Sequence, residues 1–316
     1  MIIGIPRAGM FYMFYPFWKE FFSVLGQEIC LSPKTDKSIL NLGLNAANSE
    51  SCLPIKLLYG HINWLKQKGI NDFLLPEMDE VISTNSVFGN KSFFCPYFVA
   101  LPDFMKAEYP EINILRPKIS ITDNLIEKEP WIKLALTLGK NDQEAGEAFS
   151  QAQNKFIDFQ KQLRNKNISD NEVFDLVENK GDRTIAVIGH PYVVYDSYLN
   201  LNILRKIIDK GFAVKTMEMF SEEEKNEGNK IIQVECHNHW NITNEERLGV
   251  MSAACDKSIN GIIYITPFNC GPDFLMETYA LKTARKIKPV TSISIDESSG
   301  EAGLNTRIEA FIDVLK

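Results

Sequence analysis

The chain has 316 residues, of which 45% are hydrophobic and 24% are charged, and its formal net charge is −7. This length suffices for two α/β domains with a sizeable core, and the composition is that of a globular protein. The negative charge and the lack of a basic block argue against a nucleic-acid partner.

The apolar start MIIGIPRAGMFYMFYPFW does not predict a signal peptide, because it lacks a basic n-region and is interrupted by Arg7 and two prolines. No run of about 18 apolar residues predicts a membrane span. The 6 cysteines are scattered through a long chain without an export signal. This favours free thiols or metal ligands over disulfides. We therefore expect a cytoplasmic protein without membrane insertion.

The predicted elements alternate between strands and helices. In the first part, MIIGI, QEICLS, INDFLLP, KSFFCP and INILRP read as strands, whereas MFYMFYPFWKEFFSVLG and LPIKLLYGHINWLKQKG have helical spacing. Residues 131–180 become polar and helical and predict a connecting segment. Alternation returns with the strands TIAVIGH, FAVKTMEM, GIIYIT and VTSISID. This pattern predicts parallel sheets in an N-terminal α/β domain (residues 1–130) and a C-terminal α/β domain (residues 181–316).

Three cysteines share a local pattern, in SCLPIK (Cys52), FFCPYF (Cys95) and FNCGPD (Cys270). Each is followed within two residues by proline, which is favoured in the first turn of a helix. Each thiol is therefore predicted to lie just before a helix N-terminus, where unpaired N–H groups favour the thiolate. A predicted strand precedes Cys95 and Cys270, which places both at carboxyl ends of strands, where open α/β sheets bind ligands. The alternative is that the three are small buried residues at tight turns.

The remaining cysteines give weaker patterns. Cys30 and Cys255 are predicted to be structural, within a strand and at the end of a helix. The segment VECHNHW brings Cys236, His237 and His239 close together in sequence and could form a metal site, although such a cluster has low specificity.

Other polar groups follow the strands of the C-terminal half. His190 and Tyr192 come after TIAVIG, which ends at Gly189, and Asp296 comes after VTSISI. In a parallel sheet these groups emerge on the same edge as Cys270. His190 is a candidate proton donor or second-sphere partner, with bonding to loop carbonyls as the alternative. The acidic loop at Asp296 is either part of a site or a solvated turn. The chain lacks a GxGxxG motif after its first strand, a GxxxxGK[ST] P-loop and a GxSxG elbow.

Longer motifs carry a family resemblance. IGIPRAGMFYMFYPFWKEFFSVLGQEICLSPKT, SCLPIKLLYGHI, FFCPYFVALPDF, GHPYVVYD, FNCGPD and IDESSGEAGLNTRIEAF together resemble the acyl-CoA dehydratase activase-related proteins. These are stand-alone relatives of the cluster-bearing subunits of 2-hydroxyacyl-CoA dehydratases and benzoyl-CoA reductases. The resemblance covers nearly the whole chain. It implies two Rossmann-like domains joined by a helical segment, with an iron–sulfur cluster in the cleft between them.

Carried over to this chain, the resemblance implies Cys52, Cys95 and Cys270 as the ligands of a [4Fe-4S] cluster. A double-cubane [8Fe-9S] cluster would need further thiolates, from a dimer mate or from Cys236. In the dehydratases, a separate ATP-hydrolysing activator injects one low-potential electron. This chain has no ATPase motif, so the resemblance places it on the acceptor side, as a homodimer.

The resulting expectation is an iron–sulfur protein of anaerobic metabolism. It would accept electrons from an ATP-dependent activator and reduce, or reductively dehydrate, a small molecule such as an acyl-CoA. His190 and Tyr192 would supply protons or hydrogen bonds to the cluster. The alternative is a non-catalytic carrier of iron–sulfur clusters, or an assembly partner of a dehydratase-like enzyme.

Overall fold

The computed structural model describes residues 1–82, 91–164, 173, 181–231, 241–276 and 280–315. It is an α/β protein with three sheets, two of them parallel throughout and one mixed, which confirms the predicted fold class. The described residues divide into two compact units. The first is built mainly from Met1–Ala47 and Ile55–Lys161, and the second from Asn48–Pro54, Gln162–Cys236 and Ile242–Lys316.

The strands of the chain up to Arg164 are β1 (Ile2–Ile5), β2 (Glu28–Leu31), β3 (Asp72–Leu74), β4 (Glu77–Ile82), β5 (Lys91–Phe93), β6 (Asn113–Leu115), β7 (Lys118–Thr122) and β8 (Leu125–Ile126). The helices are α1 (Phe11–Val24), α2 (Lys37–Ala46), α3 (Leu53–Gln67), α4 (Pro96–Val99), α5 (Leu101–Glu108), α6 (Glu129–Thr137) and α7 (Asp142–Arg164).

Two sheets lie in this part of the chain. The first has the order β2-β1-β3-β6 and is parallel throughout, as the alternation of strands and helices predicts. The second has the order β5-β4-β7-β8 and is mixed. In it β4 and β7 are parallel, whereas β5 and β8 run antiparallel to their neighbours. The mixed sheet was not predicted, because the alternation of strands and helices indicates parallel pairs. In this sheet β5 and β8 come next after β4 and β7 in the order of elements and pair with them antiparallel.

The aromatic helix α1 is confirmed and forms the centre of the first unit. The Trp131 ring, on α6, lies 4.7 Å from Phe17 and 5.1 Å from Phe21 between ring centroids. Phe149, on α7, lies 5.8 Å from Phe17. These edge-to-face pairs are typical of aromatic packing. Because α6 and α7 bury their apolar faces on α1, the helical segment that follows residue 128 is packed into the first unit as far as Lys161.

The rest of the chain contains the strands β9 (Arg183–Ile188), β10 (Phe212–Thr216), β11 (Ile259–Pro267) and β12 (Val290–Ile295). Its helices are α8 (Pro191–Val194), α9 (Ile203–Asp209), α10 (Glu222–Ile231), α11 (Asn241–Cys255), α12 (Gly271–Met276), α13 (Lys282–Ala284) and α14 (Glu301–Leu315). Among the helices described in either unit, none is long and apolar enough to cross a membrane.

The sheet of the second unit has the order β10-β9-β11-β12 and is parallel throughout. Its central strands are buried on both faces, and Val187 of β9 stands opposite Ile263 of β11 in the register. Continuous apolar runs such as GIIYIT are typical of parallel strands covered by helices on both sides. Because β9 and β11 are neighbours, the segments that follow their carboxyl ends begin side by side.

A close backbone approach fixes the turn after β9. A Cβ atom built at Gly189 would lie 2.3 Å from the carbonyl oxygen of Ile265 on β11. Only glycine fits at this distance, since real Cβ atoms are not found so near a backbone oxygen. The turn therefore brings the next residue, His190, close to the end of β11.

Candidate functional site

The three cysteines with the proline pattern each stand directly before a helix, as predicted. Cys52 precedes α3, Cys95 is the N-cap residue of α4, and Cys270 precedes α12. None of the three forms a disulfide, and all three are half-buried. The predicted structural positions of Cys30 within β2 and of Cys255 at the end of α11 are also confirmed.

The prediction that the thiol lies at the ligand-binding carboxyl edge of a parallel sheet is confirmed for Cys270 but is wrong for Cys95. Cys270 follows β11 in the fully parallel sheet of the second unit. Cys95 follows β5, which pairs antiparallel with β4 in the mixed sheet. The carboxyl end of β5 therefore lies at the opposite edge from the carboxyl ends of β4 and β7. Ligand binding at the carboxyl edge of a parallel sheet gives no argument for Cys95.

The thiols are divided between the two compact units. The segment Asn48–Pro54, which carries Cys52, groups with the second unit, although the residues on either side of it belong to the first. Cys270 also belongs to the second unit, and Cys95 belongs to the first. Two of the three predicted ligands are thus held by one unit.

His190 and Cys270 are in contact at the carboxyl edge of the second unit's sheet. The imidazole Nε2 of His190 lies 3.3 Å from Cys270 Sγ. His190 directly precedes α8, and Cys270 directly precedes α12. Because β9 and β11 are neighbours, the two residues that follow their carboxyl ends lie side by side. The prediction that His190 shares an edge with Cys270 is confirmed.

Two buried carboxylates complete this group. Glu246 Oε1, on α11, lies 2.6 Å from His190 Nδ1, and Asp273 Oδ1, on α12, lies 3.1 Å from His190 Nε2. Both contacts are ion pairs by distance, and neither has the alignment of a good hydrogen bond. Tyr264 donates a hydrogen bond to the other oxygen of Glu246 at 3.1 Å, and Thr266 donates one to the other oxygen of Asp273.

Sequence reasoning missed both carboxylates. For Asp273 a signal existed, because side chains of a helix N-cap residue and of the third residue after it lie next to each other. Cys270 and Asp273 have this spacing, and the backbone N–H of Asp273 makes a hydrogen bond to the Cys270 sulfur. For Glu246 no local pattern was available, because only the packing of α11 on the sheet brings it to His190.

The carboxylates decide the charge of the imidazole. Burial disfavours a charged His190, but Asp273 and Glu246 outweigh it and raise the pKa of His190 well above its ordinary value. Burial raises the pKa of Glu246 to about 7, against the opposing influence of His190. Burial also opposes ionisation of Asp273, but the charge of His190 lowers the pKa of that carboxyl below its ordinary value. The group therefore holds an imidazolium between two carboxyls.

The expectation that the helix N-terminus favours the thiolate is wrong for Cys270. Burial raises the pKa of its thiol above the ordinary value, although the hydrogen bond and charge of His190 act in the opposite direction. The loss of hydration disfavours the thiolate by more than the imidazole of His190 and the backbone N–H of Asp273 favour it. A bound cation would reverse this balance, since a metal deprotonates a coordinating thiol.

The other predicted residues divide into neighbours of this group and residues apart from it. Tyr192 is buried, and its ring lies 5.0 Å from that of His190. Asp296 accepts hydrogen bonds from the hydroxyls of Ser298 and Ser299, and this holds its pKa below the ordinary value. The acidic loop is therefore a turn at the end of β12 that is held by hydrogen bonds between its own residues. Residues 236, 237 and 239 of the segment VECHNHW lie outside the described residues.

The donor types fit an iron–sulfur cluster. Half-buried cysteines at helix starts can provide the thiolates that such clusters require, together with backbone N–H groups that can bond to sulfur. At Cys270 the neighbouring imidazole adds a side-chain donor of the kind that tunes a cluster.

Comparison with known families identifies a family model that covers much of the chain. Residues 2–220 match a family model described as the CoA enzyme activase uncharacterised domain (DUF2229). The match covers more than half of the chain and includes Cys52, Cys95, His190 and Tyr192, whereas Cys270 lies beyond it. No curated protein matches the chain significantly.

Proposed function

The chain belongs to the CoA enzyme activase family, and from this premise we propose that it is an iron–sulfur component of the system that activates a CoA-dependent dehydratase. The family match confirms the resemblance to acyl-CoA dehydratase activase-related proteins. In the proposal, Cys52, Cys95 and Cys270 hold a [4Fe-4S] cluster or share a double-cubane [8Fe-9S] cluster. The protein accepts low-potential electrons from an ATP-dependent activator and passes them to a small molecule, with an acyl-CoA as the first candidate.

One observation supports the proposal most strongly. Cys270 lies at the carboxyl edge of a parallel sheet, against a histidine that two buried carboxyls hold in place. Buried charged groups are costly and rarely retained without a role, so such a group beside a free thiol is typical of a functional site. The position of Cys52 in the same compact unit adds a second predicted ligand to that unit.

The chain's own residues have distinct parts in this proposal. Three thiolates would anchor the cluster, which supplies one-electron redox chemistry when bound. His190 holds a proton next to the Cys270 sulfur, where it can bond to that sulfur or give the proton to a reduced product. Tyr192 packs against the His190 ring and excludes water from it.

Iron and acid-labile sulfide content, with an electron paramagnetic resonance spectrum, tests the proposal on protein purified without oxygen. We expect about four iron atoms per chain and the signal of a reduced cubane. About eight iron atoms per cluster would indicate the double cubane. Protein that contains no iron and resists reconstitution would refute the iron–sulfur proposal.

Serine variants identify the ligands. Cys52→Ser, Cys95→Ser and Cys270→Ser are each expected to lower the iron content after reconstitution. Cys30→Ser and Cys255→Ser are matched controls, since both residues lie in regular elements away from the proline pattern, and they are expected to keep the wild-type iron content. Equal iron in all five variants would mean adventitious iron.

The same preparation separates a reductase from a carrier. An electron-accepting component should be reduced when the ATP-dependent activator and ATP are added, and should be reoxidised by its substrate. A carrier or assembly partner should instead transfer its cluster to an apo acceptor protein. Sedimentation of the purified protein tests the expected homodimer.

A further inference from the structure

We propose that His190, Cys270 and Asp273 form a binding site for a single divalent transition-metal ion. This site goes beyond the iron–sulfur cluster proposed above. It uses Cys270 in common with the cluster, so one chain holds either the ion or the cluster there, and it requires neither Cys52 nor Cys95.

The ligand atoms already have the spacing that an ion needs. One ligand atom from each of the three residues lies within 4.8 Å of the other two. His190 Nε2 is 3.3 Å from Cys270 Sγ and 3.1 Å from Asp273 Oδ1. Around a tetrahedral zinc ion with metal–ligand bonds of about 2.0–2.3 Å, neighbouring ligand atoms are roughly 3.3–3.6 Å apart. Two of the three ligand-atom distances are therefore close to those around a bound ion, and the third pair of atoms lies within 4.8 Å.

The elements that carry the ligands hold them firmly. Cys270 directly precedes α12 and Asp273 lies in the first turn of that helix, where its backbone N–H bonds to the Cys270 sulfur. His190 follows the tight turn at Gly189, and the close contact of Gly189 with Ile265 on β11 fixes that turn. His190 and Asp273 are each only 3% exposed. Such burial excludes the competing water that weakens metal sites on a surface.

A second layer of residues supports the ligands in the manner of known metal sites. A histidine ligand generally has a carboxylate, a carbonyl or water at its other ring nitrogen. Here Glu246 Oε1 lies 2.6 Å from His190 Nδ1, and the Tyr264 hydroxyl holds the other oxygen of Glu246. Thr266 likewise holds the second oxygen of Asp273 and leaves Oδ1 for the ion. Glu246, Tyr264 and Thr266 lie outside the cysteine–proline pattern from which the cluster ligands were predicted.

The donor set indicates the class of ion. One thiolate, one imidazole and one carboxylate suit zinc or ferrous iron better than magnesium or calcium, which prefer oxygen ligands. The two negative ligands balance the charge of a divalent cation. Three protein ligands leave a fourth position open for water or a substrate atom, as catalytic zinc sites do.

Cobalt(II) is the probe, because its complexes with thiolate ligands absorb visibly. The full-length protein is freed of metal under anaerobic conditions and titrated with Co²⁺, and Zn²⁺ is then added as a competitor. We expect one Co²⁺ per chain, a sulfur-to-cobalt charge-transfer band with the bands of a tetrahedral ion, and loss of both when Zn²⁺ is added.

Variants assign the ligands in the same titration. Cys270→Ser is expected to abolish the charge-transfer band, and His190→Gln and Asp273→Asn to weaken binding more than tenfold. Glu246→Gln, which changes a partner of a ligand, is expected to weaken binding by about 10- to 100-fold. Thermal unfolding of each metal-free variant shows whether it folds, and Glu246→Gln remains informative if His190→Gln does not fold.

Cys52→Ser and Cys95→Ser separate this proposal from the cluster. Both variants are expected to bind Co²⁺ as the wild type does, while losing the iron–sulfur cluster. A wild-type affinity for Co²⁺ in Cys270→Ser or Asp273→Asn would overturn the mononuclear site and leave the cluster proposal unaffected. A cluster that fails to form while Co²⁺ still binds through Cys270 would refute only the proposed function.

Discussion

The hydroxyl of Tyr264 donates a hydrogen bond to Glu246 Oε2 at 3.1 Å, and both side chains are completely buried. Tyr264 comes from the central strand β11 and Glu246 from helix α11, so this bond ties the helix to the sheet beside the candidate site. A buried carboxyl oxygen depends on such a partner, because no water is available to replace it.

Removal of this hydroxyl therefore measures how firmly the site is held. Tyr264→Phe is expected to lower the free energy of unfolding by about 1–3 kcal/mol, since it leaves a buried oxygen unsatisfied. Urea unfolding followed by circular dichroism gives the value. Tyr97→Phe is the matched control, because Tyr97 is 39% exposed, and it should stay within about 0.5 kcal/mol of the wild type. Equal effects of the two variants would contradict the role assigned to Tyr264.

The close approach of Gly189 to Ile265 can be tested with one methyl group. In Gly189→Ala the new Cβ would lie 2.3 Å from the Ile265 carbonyl oxygen, so the backbone must shift. We expect a loss of about 1–3 kcal/mol in the free energy of unfolding. Gly146→Ala, inside helix α7 with no heavy atom within 4 Å of its new Cβ, is expected to stabilise by about 0.5–1 kcal/mol. Destabilisation by Gly146→Ala equal to that by Gly189→Ala would count against the steric argument.

The lowered pKa of His61, in the first unit, should make the stability of the protein depend on pH. Burial, with a smaller contribution from the positive charge of Arg7, lowers the pKa of His61 from 6.5 to about 3. Between these values the unfolded chain binds a proton that the folded chain excludes. Stability should therefore fall as the pH is lowered from about 6.5 towards 3, by about 1.4 kcal/mol per pH unit from this one group.

The contribution of His61 is obtained as a difference. His61→Gln keeps a polar group near the Thr35 hydroxyl, which lies 3.1 Å from His61 Nε2, and removes the titration. The variant should show a shallower loss of stability than the wild type over the same pH range, measured by chemical unfolding at each pH. Parallel curves would mean that His61 is protonated in the folded protein.

Helix α6 offers a test of the aromatic packing against α1. Trp131 is completely buried against Phe17 and Phe21, whereas Leu136 on the same helix is 42% exposed. Trp131→Ala is expected to lower the free energy of unfolding by about 3–5 kcal/mol, and Leu136→Ala by no more than about 0.5 kcal/mol. A small effect of Trp131→Ala would show that α6 contributes little to the core.

Local patterns in the sequence determined the local structure well. The spacing of apolar residues predicted the aromatic helix α1 and the strands of both parallel sheets, because each element must bury one face or both. The prolines placed Cys52, Cys95 and Cys270 at helix starts, because proline is favoured in the first turn of a helix. The parallel order then placed His190 on the edge of Cys270.

Tertiary structure alone decided the chemistry of that edge. The pairing of β9 with β11 set the 3.3 Å contact between His190 and Cys270, and the packing of α11 brought Glu246 to the imidazole. The antiparallel direction of β5 overturned the edge argument for Cys95. Burial raised the pKa of the Cys270 thiol against the local effect of the helix N-terminus. Residues that are neighbours in sequence determine where a helix starts. The desolvation of a side chain and the charges around it depend on every element that packs against it.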